Sequence, residues 1–414
     1  MTDPRTATHP SLAEFHDAAA FLRDVAARTP LEDSEFLSDV LGVPVSLKLE
    51  NLQRTGSFKI RGAAYRMSRL TDDERARGVV AASAGNHAQG VARAAQKLGI
   101  PATIFMPLGV PVPKLLATRG YGAEVVLEGA TVETPLRLAA EFAERTGAVL
   151  IHPFDHRDVI IGQGTVGLEI YDEVPDVETV ILGIGGGGLI AGVAAAIKAR
   201  AAADGRVVRI IGVQAANSAP YPISLAAGEP VTIETTPTIA DGIAVARPGA
   251  APFEVIRDLV DEVVTVTDDD IARALLVLLE RAKQVVEPAG AVGVAAILSG
   301  KVVANGPTVV ILSGGNIDPL LLQRVVAHGL AASGRYMTLQ IPLPDRPGQL
   351  ARVSELLSVA GANVIEVLHT RHGQGLQISE VILQLSVETR GEDHRAHVIS
   401  VLEDAGFQPR VVSD

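Results

Sequence analysis

The chain has 414 residues, of which 47% are hydrophobic and only 3% aromatic, so aliphatic side chains must build its core, and this length suggests roughly two to three domains. Its net charge of -12 is spread along the chain without a basic block, which argues against nucleic acid and anionic membrane surfaces as partners. No cysteine is present, which excludes disulfides, thiol nucleophiles and thiolate metal sites.

The N-terminal segment, residues 1–10, is polar and lacks the apolar stretch of a signal peptide. No apolar run in the sequence approaches the roughly 20 residues that span a bilayer. These features predict a soluble, cytoplasmic protein without a membrane partner.

From about residue 43 to 333, apolar β-branched runs alternate with helical patterns. We predict strands at Val43–Leu49, Val79–Ala82, Ile100–Met106, Ala123–Leu127, Val149–His152, Thr179–Gly183, Val208–Val213 and Thr308–Leu312. We predict helices at Ser57–Leu70, Asn86–Leu98, Pro113–Arg119 and Val132–Thr146. This alternation predicts an α/β fold of parallel sheets with helices on both faces, in which ligands bind beyond the carboxyl ends of the strands.

The pattern changes near Ser333 and becomes β-α-β-β-α-β. We predict strands at Tyr336–Ile341, Asn363–Thr370, Ile378–Val387 and Phe407–Val412, and helices at Gly348–Val359 and His394–Leu402. This is the split-βαβ, or ferredoxin-like, α+β arrangement. We therefore predict a first domain over residues 1–333, with a smaller subdomain at roughly 55–157, and a second domain over residues 334–414.

Three segments of the first domain place small residues between a strand and a helix: Ala81–Ala88, Gly183–Leu189 and Leu312–Asn316. Each alone is most simply a tight turn. Three of them at the carboxyl ends of parallel strands favour a shared anionic ligand, because helix N-termini attract anions and glycines let the backbone approach a phosphate.

A dinucleotide is one such ligand. Gly183, Gly185 and Gly188 match the G-x-G-x-x-G spacing of nicotinamide cofactor sites, but the strand Val208–Val213 ends in Gln214 instead of the acidic residue that binds the ribose. A nicotinamide-dependent oxidoreductase is thus a remote alternative, and a smaller phosphate ligand is favoured.

Lys59 lies in the segment Ser-Phe-Lys-Ile-Arg-Gly-Ala, Ser57–Ala63. A lysine in such a helix start is usually a surface residue, and its ordinary pKa of about 10.4 leaves little free amine at neutral pH. A Schiff base with the aldehyde of a cofactor would remove that obstacle.

The segment Ser57–Ala63 resembles the cofactor-lysine motif of the threonine/serine dehydratases, fold type II enzymes that use pyridoxal phosphate and include serine racemase. Other matching segments follow in order, at Ser83–His87, Gly185–Leu189, Ala240–Gly242, Val286–Gly290 and Ser313–Asn316. The resemblance covers about residues 10–330. It implies two parallel-sheet α/β subdomains, a homo-oligomer, and α,β-elimination of L-threonine to 2-oxobutyrate and ammonia, with L-serine to pyruvate as a side reaction.

The resemblance also implies a role for each matching residue. Lys59 would hold the cofactor and remove the Cα proton of the substrate. Phe58 would lie against the cofactor ring, Asn86 would donate to the ring hydroxyl, and Ser313 would bond the pyridine nitrogen. The backbone N–H groups of the glycine loop would bind the phosphate, at Gly185, Gly186, Gly187, Gly188 and Leu189. The turn that would receive the substrate carboxylate consists of Ser83, Ala84, Gly85, Asn86 and His87.

Two departures from this family are informative. Serine racemase has a serine where this chain has Ala84, so one face of the substrate lacks its acid/base and elimination is favoured over racemisation. Relatives that bind a divalent cation have carboxylates where this chain has Gln214, Ser218 and Pro220, so we predict no metal site. A serine-preferring dehydratase or a racemase-like enzyme stays open as the alternative, because one methyl group discriminates by only about 1–3 kcal/mol.

The segment Asp345–Leu350, with Asn363, resembles an ACT amino-acid-sensing domain. It implies an effector site at Asp345, Gly348, Gln349 and Asn363, and allosteric control by isoleucine or valine if the enzyme serves isoleucine biosynthesis; a catabolic role stays open. A non-catalytic amino-acid sensor is a further alternative. The joint presence of Lys59, Asn86 and Ser313 counts against it, because a sensor would not need them.

Overall fold

A computed structural model describes residues 9–131, 133–332, 334–371 and 379–412 of the chain. The chain forms two compact units, Met1–Asp318 and Pro319–Asp414. Ser333, near which the sequence pattern changes, lies outside the described residues, and the helix that precedes it belongs to the second unit. The boundary at residues 333–334 therefore stays a prediction.

The first unit alternates strands and helices. Its described strands are β1 (Leu31–Asp33), β2 (Val45–Lys48), β3 (Val79–Ala82), β4 (Ala102–Met106), β5 (Glu124–Leu127), β6 (Val149–Leu150), β7 (Thr179–Gly183), β8 (Arg209–Ala215), β9 (Glu262–Val266) and β10 (Thr308–Ile311). Its described helices are α1 (Leu12–Leu22), α2 (Glu35–Leu41), α3 (Lys59–Ser68), α4 (Asp72–Arg77), α5 (Asn86–Leu98), α6 (Val112–Gly120), α7 (Glu133–Thr146), α8 (Arg157–Glu173), α9 (Gly188–Ala203), α10 (Pro220–Ala227), α11 (Ala250–Leu259), α12 (Asp268–Val277) and α13 (Pro288–Leu298).

These strands form two sheets. The larger has the order β1-β2-β10-β7-β8-β9, and the smaller, inserted between β2 and β7, has the order β5-β4-β3-β6. Every pairing is parallel except that of β1 with β2, where a three-residue edge strand returns antiparallel. In the larger sheet β2, β10 and β7 are neighbours, so their carboxyl ends lie side by side and bring the segments that follow them together.

Both faces of each sheet are covered by helices. In the larger sheet, Val180 and Leu182 of β7 belong to the core built with α8 and α9, whereas Ile181 points to the other face, towards Gly293 of α13. In the smaller sheet, Val79 packs with α5 while Val80 packs with α7. This alternation follows from the two-residue period of a strand. It confirms the predicted α/β fold class.

Glycines let helix α3, which begins with Lys59, lie directly against helix α8. A Cβ atom on Gly62 would lie 2.8 Å from the Val159 carbonyl oxygen, and one on Gly162 would lie 2.6 Å from the Arg61 carbonyl oxygen. Since real Cβ atoms do not approach oxygens so closely, the two backbones are in contact only because both positions lack a side chain. This contact fixes where the amino end of α3 lies.

Several predicted elements have different ends in the structure. The predicted helix Ser57–Leu70 begins only at Lys59, because Ser57 forms an antiparallel bridge with Gly314 and the Phe58 N–H donates to the Ser313 carbonyl. The predicted strand Phe407–Val412 begins only at Arg410, because the Phe407 N–H instead donates to the Leu402 carbonyl at the end of a helix.

The second unit has the predicted β-α-β-β-α-β order after a first helix. Its described elements are α14 (Pro319–Ala332), β11 (Tyr336–Pro344), α15 (Gln349–Val359), β12 (Asn363–Thr370), β13 (Glu380–Glu388), α16 (Glu392–Asp404) and β14 (Arg410–Val412). Ile378, where we predict the third strand to begin, lies outside the described residues.

The second unit is built on one antiparallel sheet, with the order β12-β13-β11-β14. One face carries apolar residues such as Leu339 and Leu385, which pack with Val353 of α15 and Val398 of α16. The other face carries polar side chains such as those of Gln340 and Gln384, which form a 3.0 Å hydrogen bond. Among the described residues, no helix is long and apolar enough to cross a membrane.

Candidate active site

Lys59 is the first residue of α3 and lies in the cleft between the two sheets of the first unit. Its Nζ atom is 3.1 Å from the Pro153 carbonyl oxygen and 5.1 Å from the centre of the Phe58 ring. Burial lowers the pKa of Lys59 to about 8, against the opposing effect of the Glu287 carboxylate. A larger share of this amine is therefore neutral near physiological pH than for an exposed lysine, which suits a nucleophile or a base.

The glycine loop joins β7 to α9 and packs closely on its neighbours. Gly187, the residue before α9, has φ 100, a left-handed conformation that favours glycine. A Cβ atom on Gly186 would lie 2.3 Å from the Phe154 ring, and one on Gly188 would lie 2.7 Å from Gln163 Oε1. The loop thus presents bare backbone at the amino end of a buried helix, where an anion is favoured.

The turn Ser83–His87 joins β3 to α5. The Gly85 N–H donates to Ser83 Oγ at 3.1 Å, and Ala84 is half-buried. His87 Nε2 is 2.7 Å from the Ile151 carbonyl oxygen, and burial lowers the pKa of its imidazole to about 3, helped by Lys59. His87 is therefore a neutral, buried residue, which leaves its backbone as the part that can face a ligand.

Asn86, the first residue of α5, links the smaller sheet to the larger one. Its Nδ2 atom donates to Glu287 Oε1 at 2.6 Å, and its Oδ1 atom accepts from Asn316 Nδ2 at 2.8 Å. Glu287 immediately precedes α13, and Asn316 lies in the loop after β10. The two chain segments on which Asn86 and Glu287 lie thus meet in one cleft.

Glu287 is a buried carboxyl group among charges of both signs. Burial, and then the Asp241 carboxylate, raise its pKa to about 7, while Lys114, Asn86 and Lys59 oppose that rise. Lys114 Nζ is 3.5 Å from Asp241 Oδ2, and it would lie 3.5 Å from a Cβ atom on Gly85.

Ser313 follows β10, beside the start of α3. It is 6% exposed, and its carbonyl oxygen accepts the Phe58 N–H at 3.2 Å. The structure therefore brings together Lys59, Phe58, Asn86 and Ser313. The glycine loop lies next to them through Pro153 and Phe154, the residues that contact Lys59 and Gly186.

These residues fit pyridoxal phosphate. The cleft combines a buried lysine amine, an asparagine amide with one N–H that bonds to none of the described residues, and a glycine loop at a helix N-terminus. Five buried polar atoms have no hydrogen-bond partner among the described residues, and two of them, Ser57 Oγ and Gln163 Oε1, belong to residues beside Lys59 and the glycine loop. Buried polar atoms are rarely left without a partner unless a ligand or water satisfies them.

The three positions at which some relatives bind a cation have other contacts. Gln214 Nε2 donates to the Ile184 carbonyl at 3.3 Å, and Gln214 Oε1 accepts the Tyr221 N–H at 3.0 Å. Ser218 Oγ is 3.3 Å from the Val245 carbonyl oxygen, and Pro220 begins α10. The absence of a metal requirement stays a prediction.

The four predicted effector residues are not brought together within one chain. Asn363 pairs with Glu388, which pairs with Tyr336 at the start of β11, whereas Asp345 follows the far end of that strand. The length of β11 separates them by roughly 25 Å. Gly348 has φ 91 and precedes α15, whose first residue is Gln349, so these two lie with Asp345 at one end of the sheet.

Several residues of the site were given no role from the sequence. Glu287 and Asn316 lie in segments that match the family, Val286–Gly290 and Ser313–Asn316. Glu287 also carried a usable signal, because it is a lone acidic residue before the apolar run Pro288–Leu298 and a buried helix seldom carries an unpaired charge. Pro153 and Lys114 carry no such signal, since only the folded chain brings them next to Lys59 and Gly85.

Comparison with known proteins agrees with this site. The family of enzymes described as pyridoxal-phosphate dependent matches residues 22–314, which include Lys59, Asn86, the glycine loop and Ser313. The L-threonine ammonia-lyase of Thermotoga maritima is 46% identical over 402 residues, 97% of this chain and 99% of that protein.

Two solved structures are similar to the chain. The processed form of threonine deaminase isoform 2 from Solanum lycopersicum is 39% identical, with a TM-score of 0.72 over 78% of this chain and 95% of that chain. Maize serine racemase is 37% identical, with a TM-score of 0.72 over 78% of this chain and 98% of that chain. These matches confirm the predicted fold type and cofactor: the chain belongs to the fold type II family of pyridoxal-phosphate dependent enzymes.

Proposed function

We propose that this enzyme is an L-threonine ammonia-lyase, which converts L-threonine to 2-oxobutyrate and ammonia and accepts L-serine, giving pyruvate, as a side substrate. The observation that carries the proposal is the cleft in which Lys59, Asn86, Ser313 and the glycine loop meet. The relative from Thermotoga maritima, which matches almost the whole chain and is named for this activity, supports it.

The residues of the cleft have separable tasks in this reaction. Pyridoxal phosphate, when bound, supplies the electron sink for negative charge that develops at the substrate Cα. Lys59 would anchor the cofactor and accept the Cα proton, for which its lowered pKa suits it. Asn86 would donate an N–H to the ring hydroxyl, and Ser313 would bond the ring nitrogen without a full negative charge.

The backbone of the Ser83–His87 turn would hold the substrate, and the glycine loop would hold the phosphate. Both turns lie at the amino ends of helices, α5 and α9, so their N–H groups and helix dipoles favour the two anions. Anchoring both ends fixes the Cα–H bond relative to Lys59, which is the main contribution of positioning to rate.

Racemisation is the alternative that the same scaffold allows, since maize serine racemase matches the fold as closely as the tomato enzyme does. Racemisation needs a second acid/base opposite Lys59. At the turn where serine racemase has a serine, this chain has Ala84, whose methyl group transfers no proton. This supports elimination as the main reaction.

Borohydride reduction of the pyridoxal-phosphate enzyme tests the site. The cofactor should be fixed on Lys59, and Lys59→Ala should abolish elimination because it removes both the anchor and the base. Peptide mapping locates the label, and the release of 2-oxobutyrate measures activity. Lys198→Ala is the matched control. Lys198 forms a 2.8 Å ion pair with Asp261 and has no role in the site, so this variant should remain active. A label on another lysine would contradict the site assignment.

Regulation through the second unit is part of the proposal, with isoleucine or valine as effector. β12 is an edge strand of its sheet, and it exposes Ile365, Val367 and Leu368. If two copies of the chain pair antiparallel along β12, Asn363 of one copy comes next to Thr370 of the other, the end at which Arg371 contacts Asp345 at 3.3 Å. The effector residues separated in one chain would then meet between two chains.

This arrangement accords with a homo-oligomer, which unpaired apolar edge strands favour. The homo-oligomeric state and a cytoplasmic location remain proposals from the sequence.

A further inference from the structure

The amide group of Asn86 is held from two sides. Its Nδ2 atom lies 2.6 Å from Glu287 Oε1, and its Oδ1 atom lies 2.8 Å from Asn316 Nδ2. Asn316 Nδ2 also lies 2.8 Å from the Thr55 carbonyl oxygen. The result is a chain of hydrogen bonds that starts at Thr55 and ends at a buried carboxyl group.

The direction of this chain is set at Thr55. A backbone carbonyl can only accept, so Asn316 must turn its NH₂ group towards Thr55, and its other amide hydrogen is left for Asn86. Asn86 must then present its oxygen to Asn316 and its own NH₂ group to Glu287. The other N–H of Asn86 bonds to none of the described residues, and it would be the donor for the ring hydroxyl of the cofactor.

Two glycines provide the space that the chain of hydrogen bonds occupies. A Cβ atom on Gly56 would lie 2.2 Å from Asn316 Oδ1, and a Cβ atom on Gly314 would lie 2.2 Å from Glu287 Oε1. A side chain at Gly56 would displace Asn316, and a side chain at Gly314 would displace Glu287. Glycine at these two positions, one before the cofactor-lysine segment and one in the loop after β10, therefore leaves room for the hydrogen-bonded side chains of Asn316 and Glu287.

We infer that Asn316 is a positioning residue, which fixes the Asn86 amide so that its free N–H faces the cofactor hydroxyl. The inference rests on the proposed function, because it concerns the same cofactor site. Asn316 acts through Asn86, and its effect therefore depends on Asn86 being present.

Asn316→Asp tests this. A carboxylate has no N–H, so the Thr55 carbonyl and Asn86 Oδ1 both lose their donor, and the Asn86 amide is free to turn. We expect pyridoxal phosphate, measured by equilibrium dialysis with cofactor-free protein, to bind roughly fivefold to tenfold more weakly. The visible absorption band of the bound cofactor should also shift, because its ring hydroxyl loses a fixed donor.

A double-mutant cycle separates positioning from general damage. In an Asn86→Ala background, Asn316→Asp should weaken cofactor binding no further, because the group through which it acts is gone. Asn217→Asp is the matched control: Asn217 also donates to a backbone carbonyl, that of Pro237 at 2.8 Å, but lies outside the site. It should leave cofactor binding and the absorption band unchanged.

Equal losses in both backgrounds, or no loss in either, would overturn the inference. Thermal unfolding of the cofactor-free proteins shows whether each variant folds, and Asn316→Ala, which also removes both donors, takes the place of Asn316→Asp if the latter does not. Borohydride labelling of the parent enzyme distinguishes a failure of the proposed function from a failure of this inference. If Lys59 is not labelled, the proposed function fails. If Lys59 is labelled but Asn316→Asp has no effect, only this inference is contradicted.

Discussion

Glu287 is a carboxyl group whose ionisation is opposed by its surroundings. Burial and the Asp241 carboxylate raise its pKa to about 7, although Lys59 and Lys114 also face it. In the unfolded chain the group has its ordinary pKa of 4.5. Between these two values the folded protein holds a proton that the unfolded chain releases, so the stability contributed by Glu287 falls as the pH rises through this window.

Glu287→Gln should remove this pH dependence, because the amide stays neutral and its oxygen still accepts from Asn86. Relative to the parent, the cofactor-free variant should become progressively more stable from about pH 5 to about pH 7. Thermal unfolding midpoints at several pH values measure the difference, and Glu229→Gln, at an exposed carboxyl group, is the control. A difference that stays constant with pH would contradict the raised pKa.

Ala84 is the residue on which the choice between elimination and racemisation depends. Ala84→Ser should bring measurable racemisation, because it places a hydroxyl on the face of the substrate opposite Lys59. Chiral analysis of the serine that remains after partial turnover measures it. If D-serine does not rise above the parent level, other residues must block the second face.

Residues could be predicted from the sequence where their chemistry is local. Asn86 and the glycine loop lie at strand-to-helix turns, which can be read from apolar runs and small residues, whereas Lys59 is predicted from the resemblance of Ser57–Ala63 to a cofactor-lysine motif. The partners of these residues could not be predicted, because Pro153 and Asn316 reach Lys59 and Asn86 only through pairing between distant strands. The three strand-to-helix segments, Ala81–Ala88, Gly183–Leu189 and Leu312–Asn316, also follow strands of two different sheets. The sequence pattern does not show whether the strands form one sheet or two.

At the scale of helices and strands, the contact between α3 and α8 determines where the lysine is held. Gly162→Ala should destabilise the protein by about 1–3 kcal/mol, because the added Cβ would lie 2.6 Å from the Arg61 carbonyl oxygen. In an uncrowded helix the same change would stabilise by about 1 kcal/mol.

Thermal unfolding measures this change, and elimination should slow with it because α3 carries Lys59. Gly120→Ala, at a helix position with no atom within 4 Å of the added Cβ, should be neutral or slightly stabilising. If Gly162→Ala were as stable as its parent, the two helices would not be held as closely as the structure indicates.

The bounds of these elements show what local patterns leave out. Ser57 and Phe58 have helical neighbours in sequence, but their backbones bond to the loop after β10, so α3 begins later than its pattern predicts. β1 was not predicted, because three residues with largely exposed side chains carry no periodic signal. Backbone pairing determines both: Ser57 pairs with Gly314, which is far away in sequence, and β1 pairs with the nearby strand β2.

At the scale of the whole molecule, every residue assigned to the reaction lies in Met1–Asp318, and every predicted effector residue lies in Pro319–Asp414. An effector can change the rate only if it binds two conformations of the enzyme unequally. We therefore expect isoleucine or valine to alter the threonine kinetics of the intact chain. A chain that ends at Ala332 should still turn over threonine and should ignore both amino acids.

Mixed oligomers test whether the effector site lies between two chains. Asp345→Ala and Asn363→Ala should each abolish the response. The two variants are unfolded and refolded together. A pair that contains one chain of each then has one effector site with both substitutions and one with neither. Part of the response to isoleucine or valine should therefore return. A site within a single chain cannot be restored in this way, because every chain carries a substitution. Refolding each variant alone is the control, and a mixture as unresponsive as either variant would place the effector site elsewhere.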